Sequence, residues 1–190
     1  MDLKRRILLW TIGLAGGVGL IFGSVPFIRS LLPSEKTKVA GAPVSFDLSK
    51  LMPGEQHTLQ WRGKPIWVLK RTSAMSRSLD EVRHELRDPD SEVSSQQPEY
   101  ARNESRSIKP EYFVCIGLCT HLGCVPTFRP DTQSQDLGKD WHGGYFCPCH
   151  GSKFDLAGRV FKGVPAPTNL VVPPHRYRDP QTIVIGEDSV

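Results

Sequence analysis

The chain is short of most global signatures. Hydrophobic residues are only 38% of its 190 positions, too few for a multi-span membrane protein. Charged residues are only 23%, too few for a disordered polyelectrolyte. No segment recurs at a solenoid period, so a repeat array is excluded. Amphipathic helical periodicity is scarce, and 17 glycines and 16 prolines favour short strands and turns. Cysteine is sparse and odd in number, five in all, so a pure disulfide framework leaves one over. Excess charge is small. The net +4 divides into +3 over residues 1–30 and +1 over the remaining 160, where no basic patch points to nucleic acid. The length leaves room for one ordinary domain with an appendage.

One long uncharged run is present. Ile7 to Ile28 is 22 residues without a charge, and at ~1.5 Å per residue it crosses a ~30 Å hydrocarbon core. Lys4, Arg5 and Arg6 hold its start on the cytoplasmic side by the positive-inside rule, which sends the rest of the chain across. Gly13, Gly16, Gly17 and Gly19 suit a membrane helix. A cleaved signal has a shorter apolar core, about 7–15 residues, and a small-residue site close behind it. Here the nearest such site, Ala40-Gly41-Ala42, lies twelve residues past Ile28. An uncleaved anchor over residues 1–30 is therefore expected. Arg5-Arg6 ahead of Ile7-Leu8-Leu9 also resembles a twin-arginine export signal, which suits a domain that folds around a cofactor before crossing.

Residues 31–42 are small and polar without periodicity and read as a hinge linker, leaving 43–190 as the main domain. The pattern there is β. Val44, Phe46 and Leu48 alternate with Ser45 and Asp47. Leu59 and Trp61 lead through Arg62-Gly63-Lys64-Pro65 into Ile66–Leu69, a hairpin signal. Further strands are expected at 112–116, 145–147, 153–155, 160–161, 170–172 and 182–185. One helix is expected over 76–87, with a capping box from Ser78 to Glu81 and Leu79, Val82 and Leu86 on one face. Residues 88–110 are polar and irregular, and Asp131–Asp140 reads as a solvated loop. The expected fold class is all-β and antiparallel.

Four of the five cysteines and two of the six histidines fall in two short boxes, Cys119-Thr120-His121-Leu122-Gly123-Cys124 and Cys147-Pro148-Cys149-His150-Gly151-Ser152. Three chemistries compete for them. Structural zinc takes Cys and His, but commonly as Cys-x2–4-Cys with His-x3–5-His, unlike this interleaved order. A disulfide scaffold suits an exported domain but ignores both histidines. A 2Fe–2S cluster with two Cys on one iron and two His on the other employs both boxes and leaves an extra cysteine pair. Cys115 lies in an apolar strand and reads as a buried free thiol. His57, His84, His142 and His175 read as surface or structural histidines, and Trp61, Trp67 and Trp141 as packing residues.

With the anchor, Trp61–Pro65, Asn103–Pro110 and Gly163-Val164-Pro165-Ala166-Pro167, the boxes make the chain resemble the Rieske iron–sulfur proteins of cytochrome bc complexes, the ubiquinol–cytochrome c reductases. The resemblance covers nearly the whole chain and is closer to bacterial respiratory complexes than to the plastid type. It implies a β base carrying a cluster-binding subdomain at about residues 110–172. Cys119 and Cys147 would bind the inner iron and His121 and His150 the outer one, Cys124 and Cys149 would form a disulfide, and Leu122 would cover the exposed tip. Ser152 would donate to a bridging sulfide, and Pro165 and Pro167 would stiffen a covering loop. Many members have tyrosine where this chain has Phe154, so a lower potential is expected. The resemblance also implies a one-electron carrier. It would take an electron from quinol at a cytochrome b subunit, with His150 or His121 taking a proton, and pass the electron to a membrane-anchored c-type cytochrome. The setting would be a dimeric complex in a bacterial inner membrane, with the domain on the periplasmic side. Rieske ferredoxins or oxygenase components generally lack the anchor and the extra cysteines. A zinc-stabilised binding module would lack the EPR signal of a reduced cluster.

Overall fold

A computed structural model describes residues 2–34, 37 and 41–188. The chain divides into two units, residues 1–40 and 41–190. The first is helix α1 (Leu3–Ser30), which has no buried residue and is long and apolar enough to cross a membrane. Its few hydroxyls are satisfied internally: Thr11, Ser24 and Ser30 each donate to the carbonyl three residues back. An apolar surround demands that of any polar side chain. Of the expected hinge, residues 35, 36 and 38–40 lie outside the described residues.

The second unit consists of three antiparallel three-stranded sheets. The first runs β1 (Val44–Asp47), β9 (Thr182–Ile185), β8 (His175–Asp179). The second runs β2 (Gln56–Trp61), β3 (Lys64–Lys70), β4 (Tyr112–Ile116). The third runs β5 (Thr127–Arg129), β6 (Gly144–Cys147), β7 (Ser152–Phe154).

Strands β3 and β4 of the second sheet are buried on both faces, which explains the unbroken apolar run Ile66–Leu69. Successive side chains on a strand point to opposite faces. Ile66 and Val68 of β3, with Val114 of β4, enter one core with Phe46, Trp61, Ile183 and Ile185. Trp67 and Leu69, with Phe113 and Cys115, enter a second core with Tyr145, Cys147, Phe154 and Leu170. The Cys115 thiol is sealed there, and burial pushes it up to about 12. A third, smaller core gathers Val82, Leu86, Leu137, Trp141 and Phe161.

Several expectations are corrected. The helix α2 spans Ser73–Glu81 rather than 76–87, because Thr72 supplies the cap by accepting from Met75 N–H at 3.2 Å. Ser78 is inside the helix and donates to Met75 O, and a separate 3-10 turn follows at Arg83–Glu85. β5 and β8 were not anticipated from the pattern. Residues 170–172 join no ladder; Val171 O accepts from Ile116 N–H, and Val172 N–H donates to Gln96 O. Residues 131–140 are the expected solvated loop, exposed except at Ser134 and Leu137, and it is pinned in place: Ser134 and Gly138 bridge, and Arg129 is forked onto Asp131 and Asp136.

Candidate metal centre

Both boxes sit at one end of the third sheet. Strand β5 leaves the first box, and β6 runs into the second, so the ladder pairing Thr127 with Phe146 brings their stems together. Strand β7 then turns back, pairing Ser152 with Cys147 and Phe154 with Tyr145. Cross-strand partners share a face, so Tyr145, Cys147, Ser152 and Phe154 line one side of this ladder. Tyr145 stacks on Trp67 with centroids 5.1 Å apart and 10° between planes, which locks this face against the middle sheet.

The two box loops are built alike. The Cys119 carbonyl accepts from Gly123 N–H and the Cys147 carbonyl from Gly151 N–H, each at 2.9 Å. Both closures need a residue in the left-handed region, and Gly123 and Gly151 supply it at φ +81° and +76°. Space is not the reason, since a Cβ at either position would meet nothing within 4 Å. The tight turns bring each box's cysteine and histidine to the same end. Cys124 and Cys149 are joined by a disulfide across the loops, Cα to Cα 6.7 Å. Cys119 and Cys147 are free thiols, 4% and 2% exposed. The two thiols lie beside each other, and the N–H groups of Cys149 and His150 point at the Cys147 sulfur. Burial, the largest influence, raises the Cys147 thiol, the neighbouring Cys119 raises it further, and those N–H groups lower it. Cys147 Sγ also lies within 4.8 Å of the Cys124 and Cys149 sulfurs, but sulfurs spent in a disulfide are not thiolate ligands.

The histidines occupy the outer side. His121 and His150 are 4.8 Å apart between ring centroids and nearly perpendicular, at 86°. His150 is exposed and His121 half-buried. Among the described residues, His121 Nδ1 is buried with no hydrogen-bond partner. A buried polar atom without a partner is costly, and an imidazole nitrogen is also a metal donor. Two buried thiols, two imidazoles and that orphan nitrogen fit a 2Fe–2S group.

A third segment clasps both loops. Ala166 N–H donates to Ser152 Oγ at 3.0 Å, and Thr120 Oγ1 donates to Thr168 O at 2.7 Å. Pro165 and Pro167 flank Ala166, so the backbone that reaches Ser152 is stiffened on both sides. Ser152 is fully buried and accepts through its oxygen, which leaves its own proton to donate. Phe154 is equally buried but brings no hydroxyl. Leu122 is 72% exposed at the tip, with Val125 exposed beside it. Of the four histidines outside the boxes, His57 stacks on Phe46, His84 is exposed, His142 pairs with Glu81 at 2.8 Å, and His175 is buried. Trp61, Trp67 and Trp141 are all buried.

The sequence reading passed over Thr120 and Val125, although both adjoin box residues. It also passed over three buried arginines, Arg71, Arg106 and Arg159.

Residues 44–174 match the family model of the Rieske [2Fe-2S] domain. Three curated relatives are called ubiquinol-cytochrome c reductase iron-sulfur subunit. The chain is 55% identical to that of Allochromatium vinosum, over 98% of this chain and 89% of the relative. It is 37% identical to that of Rhodospirillum rubrum, over 96% and 91%. It is 38% identical to that of Blastochloris viridis, over 96% and 92%. Matched by the domain model through both boxes and by these relatives through the anchor as well, the chain belongs to the Rieske [2Fe-2S] family, among the iron–sulfur subunits of ubiquinol–cytochrome c reductase.

Proposed function

We propose that this chain is the one-electron carrier of a quinol–cytochrome c reductase. In this reading Cys119 and Cys147 hold one iron, His121 and His150 the other. The observation that carries it is the asymmetry of the site: each box pairs a buried thiol with an imidazole, and the two rings meet 4.8 Å apart, one of them open to solvent. Bound there, a 2Fe–2S group supplies a one-electron acceptor whose potential is raised by imidazole in place of thiolate.

The chain's own residues do the rest. His150, exposed at the tip, orients the quinol hydroxyl and takes its proton. His121 offers Nε2 for the same task once Nδ1 is engaged. Leu122 and Val125 exclude water where the tip docks. Ser152, held by Ala166, donates its hydroxyl proton toward the group, and the Cys124–Cys149 disulfide fixes the distance between the loops. The partners are a cytochrome b subunit that binds the quinol and a membrane-anchored c-type cytochrome that receives the electron, within a dimeric complex. Helix α1 anchors the chain in a bacterial inner membrane. Lys4, Arg5 and Arg6 hold its start in the cytoplasm, so residues 41–190 face the periplasm, exported by a twin-arginine route. Residues 31–42 form the hinge on which the domain, with its cluster-binding part at about 110–172, moves between donor and acceptor.

The test is purification of the full chain from its membrane in mild detergent. A 2Fe–2S EPR signal after dithionite reduction, reduction of that cluster by a quinol, and co-purification of b- and c-type haem are expected. A spectrum without the cluster signal, or a cluster that quinol leaves oxidised, would overturn the proposal.

A further inference from the structure

Three guanidiniums and one carboxylate lie sealed inside the second unit. Arg71, Arg106, Arg159 and Asp155 are each at most 4% exposed, and Asp155 is the only buried acid among the described residues. Arg159 Nε donates to Asp155 Oδ2 at 2.7 Å, and Asp155 Oδ1 accepts from the N–H groups of Ala157 and Arg159. The other arginines are satisfied mainly by backbone carbonyls. Arg71 donates to Leu156 O, Pro110 O and Ser105 O, and Arg106 to Ala157 O, Gly158 O and Gln96 O. Carbonyls and amides satisfy donors but carry no net charge. Burial lowers Arg71 and Arg106 to about 10, which still leaves both protonated at neutral pH. The group therefore holds a net charge of about +2 in a water-poor interior.

This charge stands close to the boxes. Asp155 follows Ser152 by three residues, at most about 11 Å of extended chain. Ser152 is paired with Cys147 across the ladder, a Cα separation of about 5 Å. The Asp155 and Cys147 backbones thus lie within roughly 16 Å of each other, through protein that salt screens poorly. Arg71 packs over the Phe113 ring at 5.1 Å, and Phe113 touches Tyr145, two residues before Cys147. An electron arriving at the site adds a negative charge, and a fixed positive charge nearby favours its arrival.

We propose that the buried cluster of Arg71, Arg106, Arg159 and Asp155 raises the midpoint potential of the site, with its arginines and its single carboxylate acting in opposite senses. The inference rests on the reading of the boxes as ligands of a 2Fe–2S group. These are positioning residues in the electrostatic sense, and none of them needs to touch the group.

The experiment is an EPR-monitored redox titration of the full chain, cluster loaded, in its complex. Asp155→Asn and Arg159→Gln break the same ion pair, so mere loosening shifts both potentials the same way. Charge shifts them oppositely: Asp155→Asn upward, Arg159→Gln downward. Coulomb's law across about 16 Å at an effective dielectric constant of ~20 gives roughly a sixfold change in the oxidised-to-reduced ratio. At 59 mV per tenfold for a one-electron couple, that is about 46 mV. Arg71→Gln and Arg71→Lys supply an independent pair should those variants fold poorly: the first lowers the potential, and the second, which keeps the charge, leaves it in place. Shifts of the same sign at Asp155 and Arg159, or equal effects of Gln and Lys at Arg71, would overturn the inference. An unsubstituted chain without a cluster signal would instead overturn the ligand reading beneath it.

Discussion

Replacing Cys124 and Cys149 together by alanine removes the covalent tie between the box loops while leaving Cys119, His121, Cys147 and His150 in place. The bridge spans a sequence separation of 25. In the chain-entropy treatment, a closed loop of that length restricts the unfolded chain by about 12 cal/mol/K, or about 3.5 kcal/mol at 25 °C. Beyond the β5–β6 ladder, which joins the stems of the boxes, the chain offers little to compensate for its loss. The backbone bonds at Gly123 and Gly151 close each loop on itself, and the ties through Thr168 and Ala166 reach a third segment rather than the opposite loop. For a domain of this size 1 kcal/mol corresponds to roughly 2–4 °C, so the variant is expected to lose its fold about 7–14 °C below the parent. The assay follows visible cluster absorbance and far-UV circular dichroism of the full chain in detergent under oxidising conditions. A fixed scan rate is needed, because cluster loss is a rate process. Reductant should lower the parent toward the variant and leave the variant unmoved. A variant that melts within about 2 °C of the parent would refute the argument. So would equal sensitivity of both proteins to reductant.

Phe154→Tyr places a hydroxyl in the core that holds the Cys119 and Cys147 thiols. A hydrogen bond to a ligand sulfur, worth about 0.5–1.5 kcal/mol more in the reduced state, raises the midpoint by roughly 20–65 mV, and an unchanged or lower potential would count against it. Gly144→Ala drives a Cβ into the carbonyl oxygen of Phe154 on the paired strand. Two backbones must separate there, so a loss of about 3 kcal/mol or more is expected in urea titration, and a loss under about 1 kcal/mol would show that β6 and β7 are less tightly joined. His175 is buried with Nδ1 2.9 Å from Pro173 O, and burial lowers its pKa against the weaker opposing effect of that carbonyl. The fold thus favours the neutral ring. Its contribution is complete above the unfolded value of about 6.5 and is lost as pH falls from there through the lowered folded value. Stability of His175→Gln should therefore fall less steeply than the parent below about pH 6.5, and parallel curves would assign the acid sensitivity elsewhere.

How much of this was legible in the sequence depended on how local each cause is. The boxes were legible because cysteine, histidine, turn glycine and disulfide cysteine lie within six residues of one another. The anchor was legible because one uncharged run is itself the signal. Strands β5 and β8 were missed because each is the edge of its sheet. Edge strands tolerate charge, so Thr127–Arg129 and His175–Asp179 show no clean alternation. The helix was misplaced because Ser78 and Glu81 imitate a capping box, while the working cap, Thr72, stands six residues earlier.

The buried arginines failed to show for a deeper reason. Sequence rules place charged side chains outside because an isolated charge is costly to bury. What removes that cost here is the irregular backbone of 88–110 and 155–158, whose carbonyls belong to no ladder. Gln96, Ser105, Pro110, Leu156, Ala157 and Gly158 all turn their oxygens onto Arg71 or Arg106. The polar, irregular stretch and the arginines it serves are thus two halves of one arrangement. Each lacks its reason without the other, and Arg71 stands up to 85 residues from the carbonyls it serves. A long aperiodic segment that must fold compactly leaves its carbonyls in need of donors. Arginine, with five N–H groups on one head, is the side chain best able to supply several at once.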